Sequence, residues 1–124
     1  MGHEAVVKTA RFTPDSKYLL TGSRDKTIKL WEVATGREVK SYKGHLSTVN
    51  GLDISRNGKL FASSSADKTV KIWEIESGKL LFSTPEDKDY MTTVAFSPEA
   101  NWVATGGYEP LIKIWEYRKK NLVK

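Results

Sequence analysis

The chain of 124 residues contains no cysteine. Without thiols it has no disulfide, no thiolate metal site and no cysteine nucleophile, so it needs no oxidising compartment and suits a reducing cytoplasm, or a nucleus. Long apolar runs are missing as well, since none exceeds three residues, as at Tyr18-Leu19-Leu20 and Leu80-Leu81-Phe82. A membrane helix needs roughly 20 such residues and a signal-peptide core about 7 to 15. Neither insertion nor secretion is expected. Concentrated charge is scarce too. Twenty Lys and Arg against fifteen Asp and Glu leave a net +5, but the basic residues are dispersed and only Arg118-Lys119-Lys120 stand together. Most of them read as solvated surface. What remains, 39% apolar and 28% charged, is the composition of a soluble globular chain with room for one domain or part of one.

The tryptophans reveal how that domain is organised. Trp31, Trp73 and Trp115 are spaced 42 and 42 residues apart, a period in the range of repeat architectures. A gapless shift by that period superimposes Gly2, His3, Val7, Lys17, Ser23, Asp25, Lys26, Thr27, Lys29, Trp31 and Glu32 on Gly44, His45, Val49, Lys59, Ser65, Asp67, Lys68, Thr69, Lys71, Trp73 and Glu74. A second shift keeps Lys113-Ile114-Trp115-Glu116 and sets Phe96-Ser97-Pro98 on Phe12-Thr13-Pro14. The chain therefore divides into units 1–42, 43–84 and 85–124.

Each unit reads as four short strands, because apolar residues come in runs of about four to seven broken by turn chemistry, with no sustained 3.6-residue stripe. In the first unit the strands fall near Val6 to Phe12, Tyr18 to Ser23, Thr27 to Val33 and Glu38 to Tyr42. Pro14 and Gly36 supply the backbone angles for two of the turns between them. In the third unit Arg118-Lys119-Lys120-Asn121 replaces the glycine turn, and the fourth strand is expected over Leu122 to Lys124. The second strands (Leu19-Leu20, Leu60-Phe61-Ala62, Trp102-Val103-Ala104) are apolar on both faces and so need cover on both. Radial stacking of four-stranded antiparallel sheets meets that need: an all-β propeller arc of three blades. Three blades do not close a ring. Leu19, Ile28, Leu30, Phe61, Val70, Ile72, Trp102, Ile112 and Ile114 are expected to face neighbouring blades, and they do not turn polar at either terminal unit as capping repeats would. A homodimer of six blades would complete the ring, as would further blades if the chain is a fragment of a larger protein.

Gly-His at the start of a unit, Ser-Ala-Asp-Lys-Thr-Val-Lys-Ile-Trp-Glu over 65–74 near its end, and a Ser-Pro turn between resemble the WD-repeat (WD40) β-propeller family over essentially all of the chain. The signature dipeptide is Trp-Glu in every unit in place of Trp-Asp. The resemblance implies an internal hydrogen-bond network of His3, Thr21 or Ser23, Asp25 and Trp31 in unit one, and of His45, Ser63 or Ser65, Asp67 and Trp73 in unit two. Unit three departs from it. Asp87 replaces the histidine, Glu109 the aspartate and Gly107 one serine, and Pro110 stands where Lys stood, so only Trp115 and Thr105 remain and no complete network is expected.

No paired carboxylates, nucleophile elbow or phosphate loop is present, and His3 and His45 lack companions at metal-ligand spacing. No catalytic residue, cofactor or metal is expected. Lys29, Lys71 and Lys113 recur on the third strands, where their stems would cover apolar surface. Residues beside the repeated turns vary while their scaffold does not, which makes them candidates for recognition. They are Glu4, Val6 and Arg24, then Leu46, Thr48 and Ala66, then Lys88, Tyr90 and Tyr108. Tyr and Arg are enriched among residues that dominate interfaces, which singles out Tyr90, Tyr108 and Arg24. The function expected is a non-catalytic scaffold for protein or peptide partners. The alternatives are an RNA- or phospho-ligand surface built on Arg24, Lys26, Lys29, Lys68, Lys71 and Lys113, or a sensor or regulatory segment of a larger protein.

Overall fold

The computed structural model describes residues 2–124; Met1, which opens the first unit, lies outside them. Twelve strands form three antiparallel four-stranded sheets, each in simple sequence order. The first blade holds β1 (Val7–Phe12), β2 (Tyr18–Ser23), β3 (Ile28–Glu32) and β4 (Glu38–Tyr42). In the second lie β5 (Val49–Ile54), β6 (Leu60–Ser65), β7 (Val70–Glu74) and β8 (Leu80–Ser83), and in the third β9 (Met91–Phe96), β10 (Val103–Gly107), β11 (Ile112–Glu116) and β12 (Asn121–Leu122). Among the described residues there is no helix, hence none long and apolar enough to cross a membrane.

Turn chemistry repeats with the strands. The β1–β2, β5–β6 and β9–β10 turns each place one residue at positive φ, namely Ser16, Gly58 and Ala100. The β3–β4, β7–β8 and β11–β12 turns do the same at Gly36, Gly78 and Lys120. Lys120 thus adopts the left-handed conformation that glycine provides in the other two units, at the modest cost of holding a Cβ there. Its turn brings Leu122 opposite Trp115. Beyond it Lys124 accepts from the Ile114 amide while the Val123 and Lys124 amides both bond Ile114 O. The expected strand over Leu122 to Lys124 is therefore a two-residue ladder at Asn121–Leu122 followed by irregular pairing.

Two joints hold the arc. Leu20, Ile28, Leu30 and Tyr42 of blade one pack on Val49, Leu52, Phe61, Trp73 and Ile75 of blade two. One period on, Ala62, Val70, Ile72 and Phe82 pack on Met91, Val94, Val103, Trp115 and Tyr117 of blade three. The inner strands add polar clasps at the second joint: Asn50 Nδ2 donates to Met91 O at 2.9 Å, and the Phe96 amide donates to Asp53 Oδ2 at 2.7 Å. Both bonds occupy backbone groups on the edge of β9 that the sheet leaves unpaired.

The ends of the arc are open. Ile112, one period after the buried Val70, is 75% exposed, and Leu111, Trp102, Val7 and Val33 are exposed as well. Leu19, at the position of the fully buried Phe61, is only half-buried. The same repeat position thus carries different weight in different blades. Phe61→Ala should cost about 3 to 5 kcal/mol, as for a filled aromatic site in a core, whereas Leu19→Ala should cost less than half of that in the same denaturant titration. Equal losses would mean that the outer face of blade one is covered.

Candidate functional site

The first rim of the arc is shaped by the β2–β3 and β6–β7 turns. Ser23 bonds backward to Val6 O at 2.9 Å while its hydroxyl accepts from the Asp25 amide at 3.0 Å, and Ser65 receives the Asp67 amide in the same way. Lys26 and Lys68 complete the turns at φ 77° and 76°. This local geometry aims the two aspartates at the histidine of their own unit.

A continuous hydrogen-bonded relay follows in each of the first two blades. His3 Nδ1 lies 2.9 Å from Asp25 Oδ2, His3 Nε2 lies 2.6 Å from Thr21 Oγ1, and the Trp31 indole donates to that same hydroxyl at 2.8 Å. The second blade repeats it with His45, Asp67, Ser63 and Trp73 at 2.7, 2.6 and 2.9 Å. An indole N–H can only donate and a carboxylate can only accept. One arrangement therefore satisfies every member: the indole donates to the hydroxyl, the hydroxyl to Nε2, and Nδ1–H to the carboxylate. Thr21 and Ser63 are the hydroxyls in the relay, and Ser23 and Ser65 serve the turn. Sequence spacing alone left each pair open because the two positions lie two residues apart on one strand and share a face.

Both carboxylates are strongly perturbed. Burial pushes Asp67 up, yet hydrogen bonds from His45, from the Thr69 side chain and from the Leu46 amide outweigh it and hold the carboxyl well below the usual carboxylate range. Asp25 is likewise opposed by burial and then held low by Thr27, the Glu4 amide and His3. These are fully satisfied groups, walled in by their own fold. The imidazoles are enclosed too, with side chains 1% and 0% exposed for His3 and His45, and no group of three or more potential metal ligands exists among the described residues.

Unit three lacks the histidine and the aspartate of the relay, and its turn differs for a stereochemical reason. The residue that must take φ near +77° is Pro110, whose ring fixes φ near −65°. The turn accordingly differs, Asp87 in the histidine position pairs with Lys113 Nζ at 2.8 Å, and the buried Trp115 indole N–H has no partner. Lys113 hydrogen bonding holds the Asp87 carboxyl below its ordinary value. The recurrent strand lysines are engaged in every blade: Lys29 with Glu38 at 2.7 Å, Lys71 with Ser83 Oγ at 3.0 Å, and Lys113 as above. A phosphate track along them would have to break those contacts.

The varied rim residues surround these turns. Glu4, Val6, Arg24, Leu46, Lys88, Tyr90 and Tyr108 are exposed, and Thr48 and Ala66 are half-buried. Arg24 and Ala66 are held by their amides to Val6 O and Thr48 O, which fixes the rim backbone on which these side chains stand. Tyr90 and Tyr108 come together, with ring centroids 5.5 Å apart and tilted by 54°, and the Tyr108 amide bonds Tyr90 O. The backbone contact is the one that Arg24 makes with Val6 and Ala66 with Thr48, so the repeat itself sets the two positions side by side, and only in unit three do both carry an aromatic ring.

Two measurements check the relay. His45→Ala strands Asp67, Ser63 and Trp73 and should cost about 1 to 3 kcal/mol, with Asp87→Ala costing about 1 kcal/mol or less because its ion pair is partly solvated. The aspartates also set a pH limb. Their folded carboxyls titrate below the unfolded value of about 3.9, so their contribution is complete above that pH and is lost as pH falls toward the folded value. Stability should drop steeply in acid below about pH 4, and Asp67→Asn should lower stability at neutral pH while flattening that drop.

Relatives share this architecture. A family described as "WD domain, G-beta repeat" matches residues 1–32, 36–74 and 78–116. The ribosome biogenesis protein BOP1 homolog of Culex quinquefasciatus is 50% identical over 40 residues, 32% of this chain and 5% of that protein. The lissencephaly-1 homolog of Heterostelium pallidum is 60% identical over 35 residues, 28% of this chain and 8% of that one. The chain thus spans less than a tenth of either curated relative. Among solved structures, U3-55K superimposes at TM-score 0.93 with 25% identity, covering 100% of this chain and 40% of the other. The RRP9 WD40 repeats give 0.93 and 26%, with 39% of that chain covered. With three sheets in sequence order, two histidine relays and a family match in every unit, the chain belongs to the WD-domain, G-beta-repeat family.

Proposed function

We propose that the protein is a non-catalytic interaction scaffold whose first rim receives protein or peptide partners. The observation that carries this reading is the contrast within each unit between enclosed, mutually satisfied polar groups and exposed neighbours that change from unit to unit. His3, His45, Asp25 and Asp67 have no free valence to offer a substrate, while Arg24, Tyr90 and Tyr108 stand outward on a backbone they do not need to stabilise. Aromatic and arginine side chains on a rigid support lose little entropy when they bind. The engaged state of Lys29, Lys71 and Lys113 weighs against the RNA or phosphate reading. The curated relatives named for ribosome biogenesis bring a nuclear setting beside the cytoplasmic one, and a tagged chain imaged in cells distinguishes them.

Closure of the ring belongs to the same proposal. The open faces need blades, and a second copy of the chain in a six-bladed homodimer supplies three of them. The chain superimposes on 40% of a longer solved chain, so blades from a longer polypeptide or a partner are the alternative to a second copy, within the usual range of about 4 to 8 blades.

Two experiments test the reading. Tyr108→Ala with Arg24→Ala should abolish capture of protein partners from extract and leave the melting temperature unchanged. Anisotropy with generic RNA should show no salt-dependent binding, and a steep salt slope would instead support the phosphate reading. On a size-exclusion column with light scattering, the isolated chain should self-associate through its bare faces. A stable, folded 14.0 kDa monomer would contradict that, and a discrete dimer would restore the six-bladed ring.

A further inference from the structure

The two blade joints repeat each other in backbone, so each is a control for the other, and one of the differences between them opens a cavity. At the joint between blades one and two a groove of about 500 Å3 opens, lined by Tyr18, Leu30, Val39, Lys40 and Ile75 on its walls and by Asp15, Gly58 and Glu76 at its mouth. It lies beside the β1–β2, β5–β6 and β7–β8 turns, on the opposite rim from the histidines. Its size falls in the range of sites that seat a ligand or an anchoring side chain.

The second joint shows what fills this position. Lys40 lies opposite Leu30 in its ladder, and one period later Phe82 lies opposite Ile72 in the same register. Phe82 is buried, packs with Ile72, Leu60 and Tyr117, and sits 6.0 Å from Trp115 ring to ring. Tyr117 stands where the first joint has Ile75, and the buried Ala100 where it has Gly58. Three substitutions toward larger groups therefore close the second joint, and their smaller or polar counterparts leave the first one open. The aromatic that β4 does possess, Tyr42, stands two residues further along, turned onto Phe61 and Trp73 with its hydroxyl on Ile75 O at 2.7 Å. It does not occupy the place of Phe82.

We infer that this groove is a docking site for a partner segment that inserts an aromatic side chain where the second joint carries Phe82, flanked by a basic residue. The aromatic requirement follows from that internal example. The basic flank follows from charge: Asp15 and Glu76 outnumber Lys40 at the groove, and both hydrogen bonds of Asp15, from Thr13 Oγ1 and the Lys17 amide, use Oδ1 and leave Oδ2 unbonded. Thr13 hydrogen bonding also keeps this carboxyl below its ordinary value and therefore ionised at neutral pH. The site rests on the interaction-scaffold reading but uses a different rim from the tyrosine pair, so the two can fail separately.

The probe is the capped tripeptide Lys-Phe-Lys, with capped Lys-Ala-Lys as its control, titrated into the full chain while backbone amide resonances are followed. Lys-Phe-Lys should shift the amides of Val39, Gly58 and Ile75, and Lys-Ala-Lys should leave them in place. Lys40→Phe, which gives the first joint the residue of the second, should raise the melting temperature and weaken the response about tenfold or more, the loss of one anchoring contact. Should that variant fail to fold, Val39→Gln on the exposed wall should still weaken it several-fold. Tyr108→Ala on the other rim should not affect it. The proposal is overturned if the two peptides act alike, if the shifts map elsewhere, if Lys40→Phe responds like the parent, or if the groove resonances move with protein concentration alone, which would make it a contact between copies.

Discussion

A four-stranded sheet with apolar side chains on both faces cannot exist alone in water, and that constraint organises everything else in the molecule. Strand β6 is buried along nearly its whole length because blade one covers one face and blade three the other. Each joint buries several large aliphatic and aromatic side chains, and at about 1.5 to 3 kcal/mol for each one removed from water, the joints outweigh any single polar contact. Twisted strands cannot stack in parallel without end, so covering both faces with similar sheets bends the stack into an arc. Open ends are then a geometric consequence of having three blades. They are where Ile112, Leu111 and Trp102 become exposed.

Within that arc the histidine relay performs a narrower task. It ties the segment entering a blade to the turn between its second and third strands, and it does so with groups that would be costly to bury unpaired. Blade three shows what remains when several members depart together. Pro110 cannot adopt the φ of Lys26 and Lys68, Glu109 stands for the aspartate and Asp87 for the histidine, and an Asp87–Lys113 pair and an unpartnered Trp115 indole remain. On the neighbouring rim Tyr90 and Tyr108 meet across the backbone contact that the other two units share.

The fold was legible because its determinants are local and repeated. The 42-residue period, the turn residues and the two-faced second strands are all read from neighbours in sequence, and the strands fall where those signals put them apart from the frayed β12. The relay was legible only as a set of residue types. Whether Thr21 or Ser23 meets the imidazole depends on how far along the strand the histidine reaches and on the demand of the turn for its own hydroxyl. One feature was not legible at all. The groove at Lys40 arises where side chains between blades differ from the repeat, and a period reveals what is kept, not what a departure makes possible.

That asymmetry bears on where function lies in such a chain. A side chain held by both fold and period has little freedom to recognise anything, since altering it to suit a partner costs stability first. Departures from the period carry no such penalty when the scaffold around them is complete. Lys40 illustrates the point: the ladder pairing it shares with Phe82 depends on backbone alone, so either residue is compatible with the blade, and the choice decides only whether the joint is sealed by the chain itself or left open to another. Recognition in this molecule is therefore to be sought at the positions where one blade differs from the next on an unchanged backbone.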